Sequence, residues 1–183
     1  MLWPSLQRDF LLSLAVEQLY RPVWSNTILD ELEFHEALKL RKMGISETTA
    51  QHRAHNLVSV MRTAFVDAET TGWEPLEGTY GLPDEDDEHV VAAAVIAGAG
   101  AIVTENFKDF PLDKIPPGIQ ILRARDFARD TVALGPARAR RAVAEIALRS
   151  GKKSRKRTEE EILDVLVNRY DMGEAVEILR DST

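Results

Sequence analysis

Five consecutive acids, Asp84 to Glu88, stand directly before a run of small and apolar residues from Val90 to Ala97. Gly98 and Gly100 break that run, Ala101-Ile102-Val103-Thr104 follows, and Asn106, Asp109 and Pro111 come just after. The order reads as an acid-capped helix, a tight turn, a short buried strand and polar groups past the strand's end. Carboxylates at a helix start are favoured by the free N–H groups and the macrodipole. In an open α/β sheet, helix starts and strand ends share the carboxyl edge, where ligands bind. Asp84, Asp87, Asn106 and Asp109 are therefore expected to converge. Glu31, early in a helix that follows a strand, should reach the same edge. Carboxylates gathered from three segments repel one another, and a hard divalent cation with oxygen ligands is the common remedy. Such a site suits phosphodiester hydrolysis. The plainer alternative is a capped, solvated helix start, the usual fate of a charge run.

The elements that must position these groups alternate. Ser5 starts a helix to about Gln18, Tyr20–Trp24 reads as a short strand, and Ser25 caps a helix running to about Lys42. Gly44 ends it, and from Ser46 a third helix carries Ala50, Ala54, Leu57, Val58, Met61 and Phe65 at helical spacing. Asp67 to Gly81 is irregular, with a strand expected near Thr70–Trp73. Past the central stretch, Ile119–Leu122 reads as a strand and Ala124–Val132 as a helix over the sheet. Gly135-Pro136 marks a boundary. Beyond it come a helix over Ala137–Leu148, a basic linker at 151–157, a capping-box pattern at Thr158 and Glu161 opening a helix to Tyr170, and a last helix near Ala175–Leu179. Strands alternating with helices argue for an α/β fold with a parallel sheet. Two parts are expected: 1–134, and a helical extension over 135–183.

Composition narrows the classes. With 44% apolar and 29% charged residues among 183, the chain reads as a globular protein with a sizeable core. It has no cysteine, which excludes disulfides and thiolate metal sites. No apolar run is long enough to span a membrane, so no membrane association is expected and a cytoplasmic location is the default. The net charge of −7 is uneven: residues 1–122 carry 9 basic and 19 acidic side chains, residues 123–183 carry 14 and 11. An acidic body with a basic tail is unlike a groove-binding protein. It fits a metal-holding site beside a segment that meets phosphate. The run Lys152–Arg157 reads equally as solvated linker or phosphate contact. His89 reads as a packed or hydrogen-bonded histidine, His52 and His55 as exposed, and Trp3, Trp24 and Trp73 as core or edge packing. No Walker-type loop or Gly-x-Ser-x-Gly occurs.

Leu82–Pro111, together with Arg8-Asp9 and with Trp24-Ser25 and Ile28-Leu29-Asp30-Glu31-Leu32, resembles PIN-domain proteins, most closely the VapC-type toxins of bacterial toxin–antitoxin pairs. The resemblance covers about residues 2–130. It implies a Mg²⁺- or Mn²⁺-dependent ribonuclease with a parallel sheet of order 3-2-1-4-5, an RNA substrate, a cognate antitoxin and a homodimer. Carried over by position, Glu31, Asp87 and Asp109 hold metal, with Asp84 as an accessory ligand. Thr104 and Asn106 orient water or substrate, Asn106 standing where many relatives have an Asp. The family's first strand, with an Asp-x-Asn-x-Leu pattern, does not occur ahead of Leu2-Trp3-Pro4. A gap between the Tyr20–Trp24 and Ala101–Thr104 strands, and reduced stability, are then expected. Two alternatives stay open beside the toxin: a catalytically impaired module that binds antitoxin or RNA, and a housekeeping RNA-processing enzyme.

Overall fold

The computed structural model describes residues 5–151 and 155–182. Trp3 and the residues at 152–154 of the basic run lie outside them. In chain order the elements are α1 (Ser5–Val16), α2 (Asn26–Lys42), α3 (Glu47–Ala64), α4 (Glu88–Ile96), β1 (Ala101–Val103), β2 (Gln120–Leu122), α5 (Ala124–Leu134), α6 (Pro136–Arg149), α7 (Glu159–Tyr170) and α8 (Gly173–Asp181), with 3₁₀ turns at Glu74–Leu76, Glu85–Asp87 and Leu112–Lys114. The fold is mixed α/β with a parallel strand pair and many helices. Two compact units form, one from residues 22–122 and one from α1 to Arg21 plus residues 123 onward.

In the first unit β1 and β2 pair in parallel, Ala101 with Gln120, Ile102 with Ile121 and Val103 with Leu122. The Thr104 N–H extends the ladder to the Leu122 carbonyl at 2.9 Å. A second parallel pairing is a single bridge between Trp24 and Glu69. No described strand joins the two pairings. The expected strand at Tyr20–Trp24 shrinks to Trp24 of that bridge, and none forms at Thr70–Trp73, the bridge falling on Glu69 just before it. Pro22 has no N–H to offer a ladder, and Trp73 opens a 3₁₀ turn instead.

Helix α4 lies against β1, and Leu82, Val91, Ala94, Ile102, Phe110 and Ile121 close one core. Trp73 packs with Ala92 and Ala93 on another face of the same helix. A helix buried on more than one side must be apolar almost all round, which is what the alanine-rich run supplies. Gly98 adopts φ +63° directly after it, and the Ala99 N–H returns to the Ala94 carbonyl at 2.9 Å. That left-handed turn is cheap only for glycine. Helices α2 and α3 pack as a hairpin through Leu29, Leu32, Ala50, Ala54 and Val58. Ser25 and Ser46 cap them by accepting from the Ile28 and Thr49 N–H groups.

The second unit is helical. Phe10, Leu11 and Leu14 of α1 are fully buried, and α1 packs on α5, α6 and α7. Tyr20 belongs here too: its hydroxyl donates to the Leu11 carbonyl at 3.0 Å, and its ring meets Phe127 edge-on at 4.8 Å. That anchoring is a second reason the chain is not a strand at Tyr20. Thr158 and Glu161 form the expected reciprocal cap. Six arginines of this unit pair with its own carboxylates: Arg125 with Asp171, Arg129 with Glu174, Arg141 with Glu17, Arg149 with Asp9, Arg155 with Glu161 and Arg180 with Glu160. Six of the 14 basic residues in 123–183 thus meet acids of the same unit. Phe10→Ala should cost about 3–5 kcal/mol and expose α5–α8 to protease, although α1 is more than 100 residues away in sequence. Urea unfolding with limited proteolysis reads this; cleavage confined to α1 would contradict it.

Candidate metal centre

Asp84 carries the 3₁₀ turn: its Oδ1 accepts from the Asp86 N–H at 3.1 Å. The turn hands over to α4, whose cap residue is Asp87. Because the Asp87 side chain bonds no helix N–H, its carboxylate is left to face outward from the helix start. From the far end of β1, Thr104 Oγ1 accepts the Asn106 N–H at 3.0 Å, and the Asn106 side-chain amide donates to Asp109. The turn thus aims Asp109 back at the helix start. Asp84, Asp87 and Asp109 each offer an oxygen within 4.8 Å of the others, with Asp84 exposed and the other two half-buried.

Of the six residues singled out, the structure brings these three together and places Asn106 and Thr104 behind Asp109. Glu31 stands just outside the trio, where His89 Nε2 lies 3.2 Å from its Oε1. It is still close enough to be felt. Burial first, and then the charges of Asp84, Asp109 and Glu31, push the Asp87 carboxyl above its ordinary value of 3.8. His89 is packed and hydrogen-bonded, His52 and His55 are exposed, and Trp24 and Trp73 are buried in the core, all as expected.

The donor set is all oxygen and mostly anionic, which hard divalent cations select. Two ligands of one Mg²⁺ lie at most about 4.2 Å apart, given metal–oxygen distances of roughly 2.1 Å. Small side-chain adjustments bring the three carboxylates within that span, so the residues fit such an ion.

Glu88 was hidden among its acidic neighbours. It is 1% exposed, and its carboxylate accepts from the Leu82 N–H at 2.9 Å and the Tyr80 N–H at 3.1 Å. Burial opposes its charge, but the backbone N–H groups of Leu82, Tyr80, Gly81 and Gly78 outweigh it and hold its pKa below the usual glutamate value. Gly78 and Gly81 sit at φ +78° and +66°, which lets the loop curl around the carboxylate. The signal was present in phase: Glu88 lies three and four positions before the buried Val91 and Ala92. A cleft of about 430 Å³ opens beside this loop. None of the three clustered aspartates lines it, and Glu88 in its wall is already fully bonded.

A family model of the PIN domain matches residues 3–108, and the chain belongs to the PIN-domain family. That family consists in general of nucleases that act on RNA with divalent metal ions, often paired with antitoxins. No curated protein and no solved structure matches the chain. No helix among the described residues is long and apolar enough to cross a membrane.

Proposed function

We propose that this chain is a divalent-metal-dependent ribonuclease, the toxin of a toxin–antitoxin pair, acting in the cytoplasm. One observation carries the reading: carboxylates from two distant segments, Asp84 and Asp87 on one side and Asp109 on the other, converge past the end of β1. Asp87 and Asp109 would hold Mg²⁺ or Mn²⁺, with Asp84 as an accessory and Glu31 completing the ring of oxygen donors from α2. When bound, the ion activates water and neutralises charge developing on the phosphate. Asn106 fixes the orientation of the Asp109 carboxylate through its amide. The Thr104 hydroxyl in turn fixes the Asn106 backbone. Residues 1–134 supply the PIN-like part and 135–183 the helical extension. A small acidic-groove-covering antitoxin and a second copy of the chain are the expected partners.

A labelled RNA incubated with the protein should be cleaved with Mg²⁺ or Mn²⁺ and left intact with EDTA. The second reading is a PIN-like module that binds RNA or antitoxin without cleaving. It is favoured by Asn106, which brings no charge to the strand-end element beside Asp109. RNA retained on the protein but uncut with either ion would select that reading.

A further inference from the structure

His89 follows Asp87 by two positions on α4 and is 2% exposed. Its Nε2 meets Glu31 Oε1 at 3.2 Å across 58 positions of sequence, tying α4 to α2. Since an ionised carboxylate only accepts, Nε2 carries the proton and donates. The other ring nitrogen, Nδ1, is buried without a hydrogen-bond partner, while the Trp73 ring packs against the imidazole at 5.9 Å.

For packing alone this is a poor choice of residue. A buried polar atom left unpaired is costly, and an apolar side chain of similar shape would avoid that cost. Nor does Glu31 need the bond for its own sake, because its side chain is 41% exposed and water could solvate it. What the bond does achieve is placement. A glutamate has several free rotors, and the contact with a rigidly packed imidazole holds its carboxylate beside the start of α4, where its charge reaches Asp87.

We infer that His89 is the positioning residue for Glu31, donating from Nε2 to hold that carboxylate at the rim of the three-aspartate cluster. This role rests on the metal-centre reading above. A group of this kind, bonded to a ligand and not to the ion, typically changes metal affinity by about 10–100-fold when removed.

The test is titration calorimetry of Mn²⁺ into the full chain for wild type, His89→Leu, His89→Gln, Glu31→Gln and the Glu31→Gln/His89→Leu pair, with melting temperatures taken without metal. His89→Leu should weaken Mn²⁺ binding at least about tenfold with no fall in metal-free melting temperature, since it removes an unpaired buried atom. His89→Gln, whose amide N–H replaces the Nε2 donor, should restore most of the affinity. The paired variant should bind no more weakly than Glu31→Gln alone. Unchanged affinity in His89→Leu, or effects that multiply in the pair, would overturn the assignment while wild type still binds. A wild type that takes up no Mn²⁺ overturns the metal-centre reading itself and this role with it. Should His89→Leu not fold, imidazole nitrogen NMR of wild type and Glu31→Gln decides. The Nε2 resonance should be that of a protonated nitrogen and should move with Glu31→Gln; no movement overturns the proposal.

Discussion

Asp87→Asn should melt at a higher temperature than wild type without metal and gain little when Mg²⁺ or Mn²⁺ is added. The two halves have one cause. Asp87 is half-buried with Asp84, Asp109 and Glu31 around it, and its folded pKa lies above 3.8. A raised folded pKa means the folded state prefers the protonated form. The group's contribution to stability is then fully present below the unfolded value and is lost as pH rises through the folded one. At neutral pH the ionised Asp87 therefore destabilises the metal-free fold, and Asn removes that cost while keeping the side-chain shape. In wild type a cation turns the same repulsion into affinity. By mass action, metal at about a hundred times Kd adds about 2.7 kcal/mol. The variant should show little of this, and RNA cleavage should fall by more than the roughly 10–100-fold that loss of an outer-shell contact costs. Differential scanning fluorimetry over a metal series, at two pH values, reads the first part, and a labelled RNA reads the second. A variant that is less stable than wild type without metal, yet equally stabilised by it, would remove Asp87 from the centre.

The central stretch was legible because it combines three local signals: acids before a small-residue helix, glycines after it, and polar groups past a strand. Each has a physical reason that does not depend on the rest of the chain. The convergence of Asp84, Asp87 and Asp109 is expected from those signals, whereas their roles toward a metal come from the family resemblance. Glu31 was right in neighbourhood, but its placement depends on His89, and no spacing connects residues 58 positions apart. Association between distant helices was illegible for the same reason. Phe10, Leu11 and Leu14 show that α1 has a buried face but not that α5, α6 and α7 cover it. Charge pairing is illegible for a related reason. The sequence shows the tail's basic excess but not that six of its arginines meet carboxylates, two of these acids being on or just beyond α1. Exposed pairs of this kind contribute little to stability. At Tyr20–Trp24 the apolar pattern was real, and a tyrosine anchored on Leu11 and a proline without an N–H shortened the strand to one bridge.

Glu88→Ala should be the most destabilising single change in the first unit. The carboxylate is buried under the loop, and its partners are the N–H groups of Leu82, Tyr80, Gly81 and Gly78. Removing the acceptor strands those donors, and each buried unpaired N–H costs roughly 1–3 kcal/mol. Water reaches the outer part of the loop, so the full sum will not be felt. A loss of about 3–5 kcal/mol is expected, the usual range for breaking a buried charged contact, against a total stability of about 5–15 kcal/mol. Glu88→Gln should do nearly as badly, because its amide turns two hydrogens toward backbone donors. The pH dependence separates charge from shape. Glu88 has a folded pKa below its ordinary 4.5, so its contribution is present above the unfolded value and is lost as pH falls through the folded one. The gap between wild type and Glu88→Gln should accordingly be wide at pH 7 and narrow as pH drops below about 4.5. The loop also leads directly into Asp84, so Mn²⁺ affinity should fall in both variants although Glu88 touches no ion. Urea unfolding at neutral and acid pH, followed by calorimetry with Mn²⁺, measures all three effects. Equal unfolding midpoints for wild type and Glu88→Gln at pH 7 would mean that the loop is held by something other than this carboxylate.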